Sequence, residues 1–252
     1  MPNYVANIVK MEGIAKLPLF IVEDEKRHFD FNKMIRMPES LNIESGSTTE
    51  QCIMYYLTER CTIPVNCLGE EKLETARKLI SNMFSKQDEW LRTIFERVME
   101  TAYKATEGKR DEMYQKGQTY ISNYVNYGAT TWYEWRIKNW GTKWNACDTE
   151  MIDGDTIKFD TSWSSPEPVI AKLAEMYPDA VIEHWWADED MGSNTGYKRF
   201  YHGQETESCY YDTCSNEAYD TYITCWGETE CLYKDEDGNW QRHSCETCHG
   251  CD

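Results

Sequence analysis

Three cysteines near the C-terminal end of the sequence have a spacing that suits a metal ion. Cys245, Cys248 and Cys251 lie in the segment C-E-T-C-H-G-C, where two residues separate each cysteine from the next. A C-x2-C turn presents two thiolates to one tetrahedral ion, as in a zinc knuckle. We therefore expect a structural zinc site here, with Cys209 and Cys214 as candidates for the remaining ligands.

Other assignments of these cysteines stay open. Cys225 and Cys231, or His243, could complete the zinc site instead of the first pair. The thiols could also remain reduced without a ligand, or form disulfides. The segment 245–249 matches the C-x-x-C-H pattern of haem attachment, but that reaction needs export and no export signal is present. None of the iron–sulfur cluster spacings is matched.

Catalytic motifs do not stand out. The sequence contains no G-x-S-x-G, no Walker loop and no H-E-x-x-H. His184 and His202 fall on neighbouring predicted strands and could form an acid–base set with Asp160 or Glu183. Solvent-facing polar residues on strands explain the two histidines more simply. We therefore expect a protein without enzymatic activity.

The negative charge of the chain is concentrated at its C-terminal end. The formal net charge is −18, and residues 205–252 contain twelve acidic side chains but only two basic ones. Asp235, Glu236 and Asp237 come together beside Trp240, and Asp237-Gly238 predicts a hairpin turn. Acidic residues around aromatic anchors are typical of a protein interface. This charge opposes direct binding to nucleic acid but suits a partner with a basic groove.

A tryptophan-rich stretch, Thr131 to Trp144, marks the centre of the predicted fold. Thr131 and Glu134 have the spacing of a capping box, which predicts that a helix begins here. Gly141 allows the left-handed conformation that ends a helix. The stretch holds four of the ten tryptophans, and we expect them to pack in the core: Trp132, Trp135, Trp140 and Trp144.

Alternating apolar residues and turn signals predict strands on both sides of this stretch. The predicted strands are residues 4–11, 144–152, 156–163, 180–187 and 197–202, with a hairpin at Asp153-Gly154. The segment Ser164-Ser165-Pro166-Glu167 is predicted to open a helix, which Pro178 ends. Pro18 predicts that any helix in residues 14–22 is short or irregular, and Phe29 opens an extended segment that closes near Pro38.

Residues 46–127 have helical rather than strand periodicity. Helices are predicted to begin near Thr48 and to cover Leu73–Phe84, Trp90–Ala102 and Met113–Val125. Acidic and basic residues are nearly balanced in this insertion, and the apolar stripes of its predicted helices are wide enough for packing on a core. Alternatively, these apolar stripes form a groove for a partner or the face of a homodimer. Its cysteines, Cys52, Cys61 and Cys67, fit no short metal signature.

The motifs around the tryptophans carry a family resemblance. The segments W-x-x-W-R-x-x-N-W-G-T-K-W-N-A and F-D-T-S-W-S-S-P-E-P resemble the YubB-like ferredoxin-like domain family of phage and plasmid proteins. The segments M-P-N-Y-V-A-N-I-V-K-M-E-G and F-D-F-N-K-M-I-R-M-P-E-S-L fit the same pattern, so the resemblance covers about Pro2–Leu41 and Trp132–Gly203. It implies a ferredoxin-like sheet and a mobile-element origin, but no established reaction.

Together these features predict an α+β protein with four segments. Residues 1–45 and 128–204 form a ferredoxin-like antiparallel sheet, residues 46–127 a helical insertion, and residues 205–252 an acidic, cysteine-rich subdomain. No apolar run is long enough to cross a membrane and no signal peptide is present, so we expect a location in the host cytoplasm, where most cysteines are reduced.

The function that we expect is binding and inhibition of a host protein. A defence nuclease such as a CRISPR effector is the favoured target, with the acidic tail acting as a nucleic-acid mimic. The alternative is a single-strand-binding module that stacks bases on sheet aromatics. That alternative requires the basic side chains to gather on one face, namely Lys143, Lys158, Lys198 and Arg199.

Overall fold

The computed structural model describes residues 3–60 and 106–243. The helices predicted at 73–84 and 90–102 lie outside the described residues, as do Cys61, Cys67 and the cysteine-rich end from Cys245 onward. The chain forms two compact units, one of Met1–Arg36 with Arg136–Asp252 and the other of Met37–Trp135. The predicted boundaries at residues 46, 128 and 205 stay predictions.

The first unit is built on a six-stranded sheet in which every neighbouring pair is antiparallel. Its strand order is β4-β5-β1-β6-β7-β8, and two separate hairpins are formed by β2 with β3 and by β9 with β10. The predicted α+β class with an antiparallel sheet is confirmed. The strands are β1 Tyr4–Lys10, β2 Phe20–Glu23, β3 Lys26–Phe29, β4 Cys147–Met151, β5 Thr156–Ser162, β6 Ile182–Asp188, β7 Gly196–Tyr201, β8 Gln204–Tyr210, β9 Leu232–Lys234 and β10 Trp240–Arg242.

Two of the described helices cover opposite faces of this sheet. The described helices are α1 Ser47–Arg60, α2 Glu107–Tyr127, α3 Trp132–Trp140, α4 Glu167–Met176 and α5 Asn216–Trp226. Helix α4 contacts β7 and β8, and helix α5 contacts β6 and β1 on the opposite face. The apolar face of α4 is fully buried, as its spacing predicted: Val169, Ile170, Leu173 and Ala174.

The turn signals in the tryptophan-rich stretch act as predicted. The Glu134 carboxylate accepts hydrogen bonds from the Thr131 backbone N–H at 3.1 Å and from its hydroxyl at 2.7 Å, which confirms this side of the capping box. Gly141 ends the helix with a φ of 80°. Trp135 and Trp140 are buried, which confirms them as core residues, but Trp132 is only half-buried. Trp144 is 37% exposed, so the prediction that all four tryptophans are core is wrong for Trp144.

The short helix predicted in residues 14–22 is confirmed, because Ile14–Lys16 forms a single 3-10 turn. The segment after this turn differs from its prediction, and β2 and β3 form a hairpin there. The extended segment predicted from Phe29 does not continue, because Asp30 caps a 3-10 turn at Phe31–Lys33 by accepting the Asn32 N–H at 3.1 Å. The capped turn directs aromatic rings into a core cluster of Phe29, Phe31, Phe159 and Trp140.

Strand β8 lies in residues that the sequence analysis assigned mostly to the tail. It joins β7 through His202-Gly203, whose φ values of 52° and 70° allow a two-residue turn. The sheet therefore continues one strand beyond its predicted end.

The second unit contains α1 and α2, which pack at very close range. A Cβ atom at Gly117 would collide with the Cys52 carbonyl and lie 2.6 Å from Tyr56 Cβ, so only glycine fits there. The Tyr56 and Tyr114 rings pack with centroids 4.9 Å apart. Asn123 ties the end of α2 to the segment before α1, since its amide donates to the Ser40 carbonyl at 2.8 Å.

Candidate functional site

Helix α5 places the acidic C-terminal segment on the sheet. Its first turn is capped by Ser215, whose hydroxyl accepts the Ala218 N–H at 3.1 Å. The buried face packs Cys225 against Ala6 and Ala187. The Trp226 indole N–H donates to the Ala187 carbonyl at 3.0 Å, which fixes the C-terminal end of the helix. The opposite face of α5 therefore points away from the sheet.

The β9–β10 hairpin docks on this outer face through Trp240. The indole N–H of Trp240 donates to the Asp220 carboxylate at 2.7 Å, and its backbone N–H donates to the Asn216 side chain at 2.7 Å. The Lys234 ammonium lies 4.6 Å from the centre of the Trp240 ring. Trp240, which the sequence suggested as a partner anchor, is thus half-buried and engaged within the protein.

Asp235 organises the turn of this hairpin. Its carboxylate accepts the backbone N–H groups of Asp237 at 3.1 Å and Asn239 at 2.8 Å, and the Gln241 amide at 3.0 Å. These hydrogen bonds hold the pKa of Asp235 below its usual range. Of the three acidic residues predicted to bind a partner, Glu236 and Asp237 are the exposed ones, while Asp235 has a structural role.

Several further carboxylates in residues 207–230 are exposed. None of them forms an ion pair with a described residue. We call this set, together with the two exposed turn residues, the acidic surface: Glu207, Asp212, Glu217, Glu228, Glu230, Glu236 and Asp237.

The basic residues that nucleic-acid binding would require do not gather on one face. Lys198 and Arg199 are consecutive on β7 and therefore point to opposite faces of the sheet. The Lys158 ammonium lies 5.5 Å from the Trp226 ring on the α5 side. The Lys143 ammonium lies between two exposed tryptophans, 4.7 Å from the ring centre of Trp144 and 5.0 Å from that of Trp163.

Lys198 is the centre of an ion cluster that joins α4 to β8. Its ammonium contacts the Glu167 carboxylate at 2.6 Å and the Glu205 carboxylate at 2.9 Å. Burial opposes the charge on Lys198, but its hydrogen bonds with the two carboxylates raise the pKa above its usual value. The Tyr210 hydroxyl donates to Glu167 at 2.8 Å, so the end of β8 is attached to the same cluster.

The acid–base set considered from sequence is not assembled. His184 is fully buried, with Nε2 3.1 Å from the Asn7 side-chain oxygen, and burial lowers its pKa to about 3. His202 instead lies exposed in the turn between β7 and β8, with its ring against Tyr201. Burial raises the pKa of Asp160 to about 6, and Glu183 accepts the Tyr197 hydroxyl at 2.9 Å.

The described cysteines differ in their environments. Cys209 is half-buried and Cys214 is exposed, and both are free thiols. Cys225 is buried under α5, and burial raises its pKa to about 12. Cys231 is disulfide-bonded, so the proposed Cys225/Cys231 ligand pair is wrong, and Cys231 is an exception to the expectation that most cysteines are reduced.

The predicted zinc site is described only in part. Cys245, Cys248 and Cys251 lie outside the described residues. Within residues 3–60 and 106–243, no three histidine, cysteine or acidic side chains come together to hold a metal ion. The zinc site therefore stays a prediction.

Comparison with known proteins identifies the sheet. Residues 139–234 match the family model described as the ferredoxin-like domain in Api92-like protein. This segment is a ferredoxin-like domain. The match includes α5 and β9, so the acidic segment up to residue 234 lies inside the region that the ferredoxin-like model covers.

A solved structure also matches the chain. It is the protein Api92 from Yersinia pseudotuberculosis, which is 14% identical, with a TM-score of 0.36, over 84% of this chain and 99% of that one. No curated protein matches the sequence. Among the described helices, none combines the length and apolar character needed to cross a membrane.

Proposed function

We propose that this chain is a non-enzymatic protein of a phage or other mobile element that binds and inhibits a host protein. The observation that carries the proposal is the acidic surface, whose carboxylates are exposed and form no ion pair with a described residue. The resemblance to the YubB-like family supports the mobile-element origin and the host cytoplasm as the place of action.

The target class that we favour is a nucleic-acid-binding defence protein such as a CRISPR effector. A groove that holds nucleic acid is lined with Lys and Arg, and a rigid set of carboxylates can occupy it in place of phosphates. Helix α5 and the docked hairpin supply that rigidity, because Trp240 and Trp226 fix them by hydrogen bonds at 2.7 Å and 3.0 Å. The inhibitor would then compete with the nucleic acid of its target.

Two exposed turns that both contain a Glu-Asp pair provide a test with a matched control. Glu236-Asp237 lies in the β9–β10 turn, and Glu23-Asp24 lies at the β2–β3 turn. We expect Glu236→Gln with Asp237→Asn to slow association with a host protein captured from lysate by about threefold, since rim charges mainly affect the association rate. Surface plasmon resonance at low salt measures this rate. An equal loss in the Glu23→Gln, Asp24→Asn variant would show that only net charge matters and would contradict the proposal.

A specific observation favours the nucleic-acid-binding alternative. Trp144 and Trp163 are 37% and 48% exposed, and Lys143 lies between their rings. Exposed aromatics beside a cation can stack bases of a single strand. A filter-binding assay with single-stranded RNA and DNA at low salt separates the two functions, because the acidic-surface proposal predicts no retention.

We also propose a structural zinc ion in the C-terminal end, held by Cys245, Cys248 and Cys251 with Cys209 or Cys214. Elemental analysis of protein purified without added metal should find about one zinc per chain, as for a single four-ligand site. Replacing Cys245 and Cys248 by serine should lower this content, and replacing the buried Cys225 should not. Metal-free protein in which these cysteines form disulfides would contradict the zinc proposal.

A homodimer through the helical insertion remains a further proposal. The wide apolar stripes predicted for residues 46–127 suit either packing on a core or contact with a second copy of the chain. Sedimentation velocity of the full chain decides between them.

A further inference from the structure

The edge strand β8 leaves hydrogen-bonding groups without a partner in the described part of the chain. We propose that β8 binds an extended, basic segment of the partner protein as an additional antiparallel strand. This inference rests on the proposed function, because it names the chemistry of the partner that the acidic surface attracts. Extended peptides commonly bind exposed sheet edges in this way, with backbone hydrogen bonds supplying the affinity.

The direction of the backbone groups follows from the pairing of β7 with β8. The Tyr211 N–H donates to the Thr195 carbonyl at 3.2 Å, so residue 211 directs its backbone groups toward β7. Successive residues of a strand alternate in this respect. The register pairs Tyr197 with Cys209 without a slip in this part of the strand, so Ser208 and Tyr210 direct their N–H and C=O groups away from β7.

The opposite edge of the same sheet does not offer this possibility. Strand β4 is covered by the segment that contains β3 and the turn after it. The Phe29 N–H donates to the Thr149 hydroxyl at 3.0 Å, and the Phe31 N–H donates to the Asn145 side chain at 2.9 Å. Of the two edges of the six-stranded sheet, the β8 edge is therefore the one that no described segment covers.

Proteins often protect edge strands with lysine, proline or bulges. Strand β8 contains neither lysine nor proline. A bulge at Thr206 interrupts its first part, where the Thr206 hydroxyl donates to the Arg199 carbonyl at 3.1 Å. Residues 207–210 beyond the bulge pair regularly, so a continuous part of the edge remains suitable for pairing.

The charges beside this edge select a basic occupant. Glu205 lies on the α4 face, where it contacts Lys198, and Glu207 lies on the α5 face opposite Arg199. Two copies of this chain paired through β8 would bring their own acidic side chains together, which is unfavourable. Lysine or arginine side chains on an added strand would instead meet opposite charges on either face.

Tyr210 provides an anchor at the end of the edge. Its side chain is 63% exposed, yet it is held by the hydrogen bond to Glu167 and by an edge-to-face contact with Trp186 at 5.5 Å. A rigid, exposed aromatic loses little conformational entropy when it binds.

Ser208→Pro tests the inference because it removes an outward N–H without changing any charge. Proline is tolerated on an edge strand where the N–H faces solvent. The matched control is Ser208→Ala, which keeps the N–H. The probe is a short synthetic peptide in which lysine alternates with valine, and its affinity is measured by isothermal titration calorimetry.

We expect Ser208→Pro to weaken peptide binding by about tenfold and Ser208→Ala to leave it unchanged, since one hydrogen bond and the alignment of the added strand are lost. Equal affinity for both variants would overturn the inference, because non-specific attraction to a chain of charge −18 is the same in both. A second measurement uses the wild-type protein alone. Peptide binding should slow hydrogen exchange of the Ser208 and Tyr210 amides, and unchanged exchange at these amides would also overturn it.

Two further outcomes separate this inference from the proposed function. A wild-type dimer in sedimentation velocity that Ser208→Pro abolishes would identify a second copy as the occupant and overturn the inference. If Ser208→Pro binds the captured host protein normally while the Glu236→Gln, Asp237→Asn variant binds it slowly, the edge inference fails and the acidic-surface proposal stands. The reverse result supports the edge inference and contradicts the acidic-surface proposal.

Discussion

The two edges of the six-stranded sheet are completed in different ways. At β4, the protein covers the edge with the β2–β3 hairpin, whose Phe29 is fully buried. At β8, it attaches the strand through an ion cluster around Lys198 and leaves the outer backbone groups of Ser208 and Tyr210 without a described partner. The first arrangement suits stability, and the second suits recognition.

This difference indicates where sequence changes should affect folding and where they should affect binding. On the β4 side, Phe29, Phe31 and Phe159 contact one another in a buried cluster, so their stabilising energy comes from burial. Side chains around β8 are charged and partly exposed, so their energies are smaller and depend on salt.

The largest effect is expected at the covered edge. Phe29 is fully buried and packs on Phe20, Phe31 and Phe159. The centre of the Phe159 ring lies 5.0 Å from that of Phe29. Phe29→Ala should lower the free energy of unfolding by about 3–5 kcal/mol, because it leaves a cavity in the core. Urea denaturation followed by tryptophan fluorescence measures the loss. The half-buried neighbour Phe20→Ala is the control and should cost less; an equal loss would contradict the assigned role of Phe29.

A smaller effect is expected at the ion cluster. Lys198→Met leaves Glu167 and Glu205 without their cation and should lower the free energy of unfolding by about 1–3 kcal/mol. This loss is smaller than for a fully buried ion pair, because both carboxylates are partly exposed and solvent screens their charges. Because the pKa of Lys198 is raised, its contribution is complete below the unfolded pKa and is lost only as pH rises through the folded one.

The chain offers a control for this substitution on helix α4. Lys172 pairs with Glu175 at 2.8 Å, and both side chains are well exposed. Lys172→Met should therefore change the free energy of unfolding by less than about 0.5 kcal/mol. If the two Lys→Met variants lose the same stability, the cluster does not attach β8 as described.

The sequence predicted those elements that are determined by local signals. Asp153-Gly154 marked the β4–β5 hairpin, Thr131 and Glu134 marked a helix start, and apolar spacing identified α4. The matching family model agrees with the ferredoxin-like prediction for the second part of the sheet. These signals act within a few residues, so tertiary contacts did not override them.

Features that depend on distant partners were not predictable in the same way. The turn at His202-Gly203 lacks the usual Asn-Gly or Asp-Gly pattern, so β8 was missed. Asp235 resembled its exposed neighbours in sequence, but only the folded hairpin shows its three hydrogen bonds. Likewise, no local signal distinguishes the buried thiol of Cys225 from the disulfide-bonded Cys231.

The most direct test of the acidic-surface proposal is a competition measurement on the captured host protein. Its affinity for this chain is measured at low salt, with and without a saturating amount of the nucleic acid that the host protein binds. We predict that saturating nucleic acid abolishes binding, and that association slows steeply as salt is added, because charged groups steer the encounter. Unchanged affinity in the presence of nucleic acid would contradict the proposal that the acidic surface occupies a nucleic-acid groove.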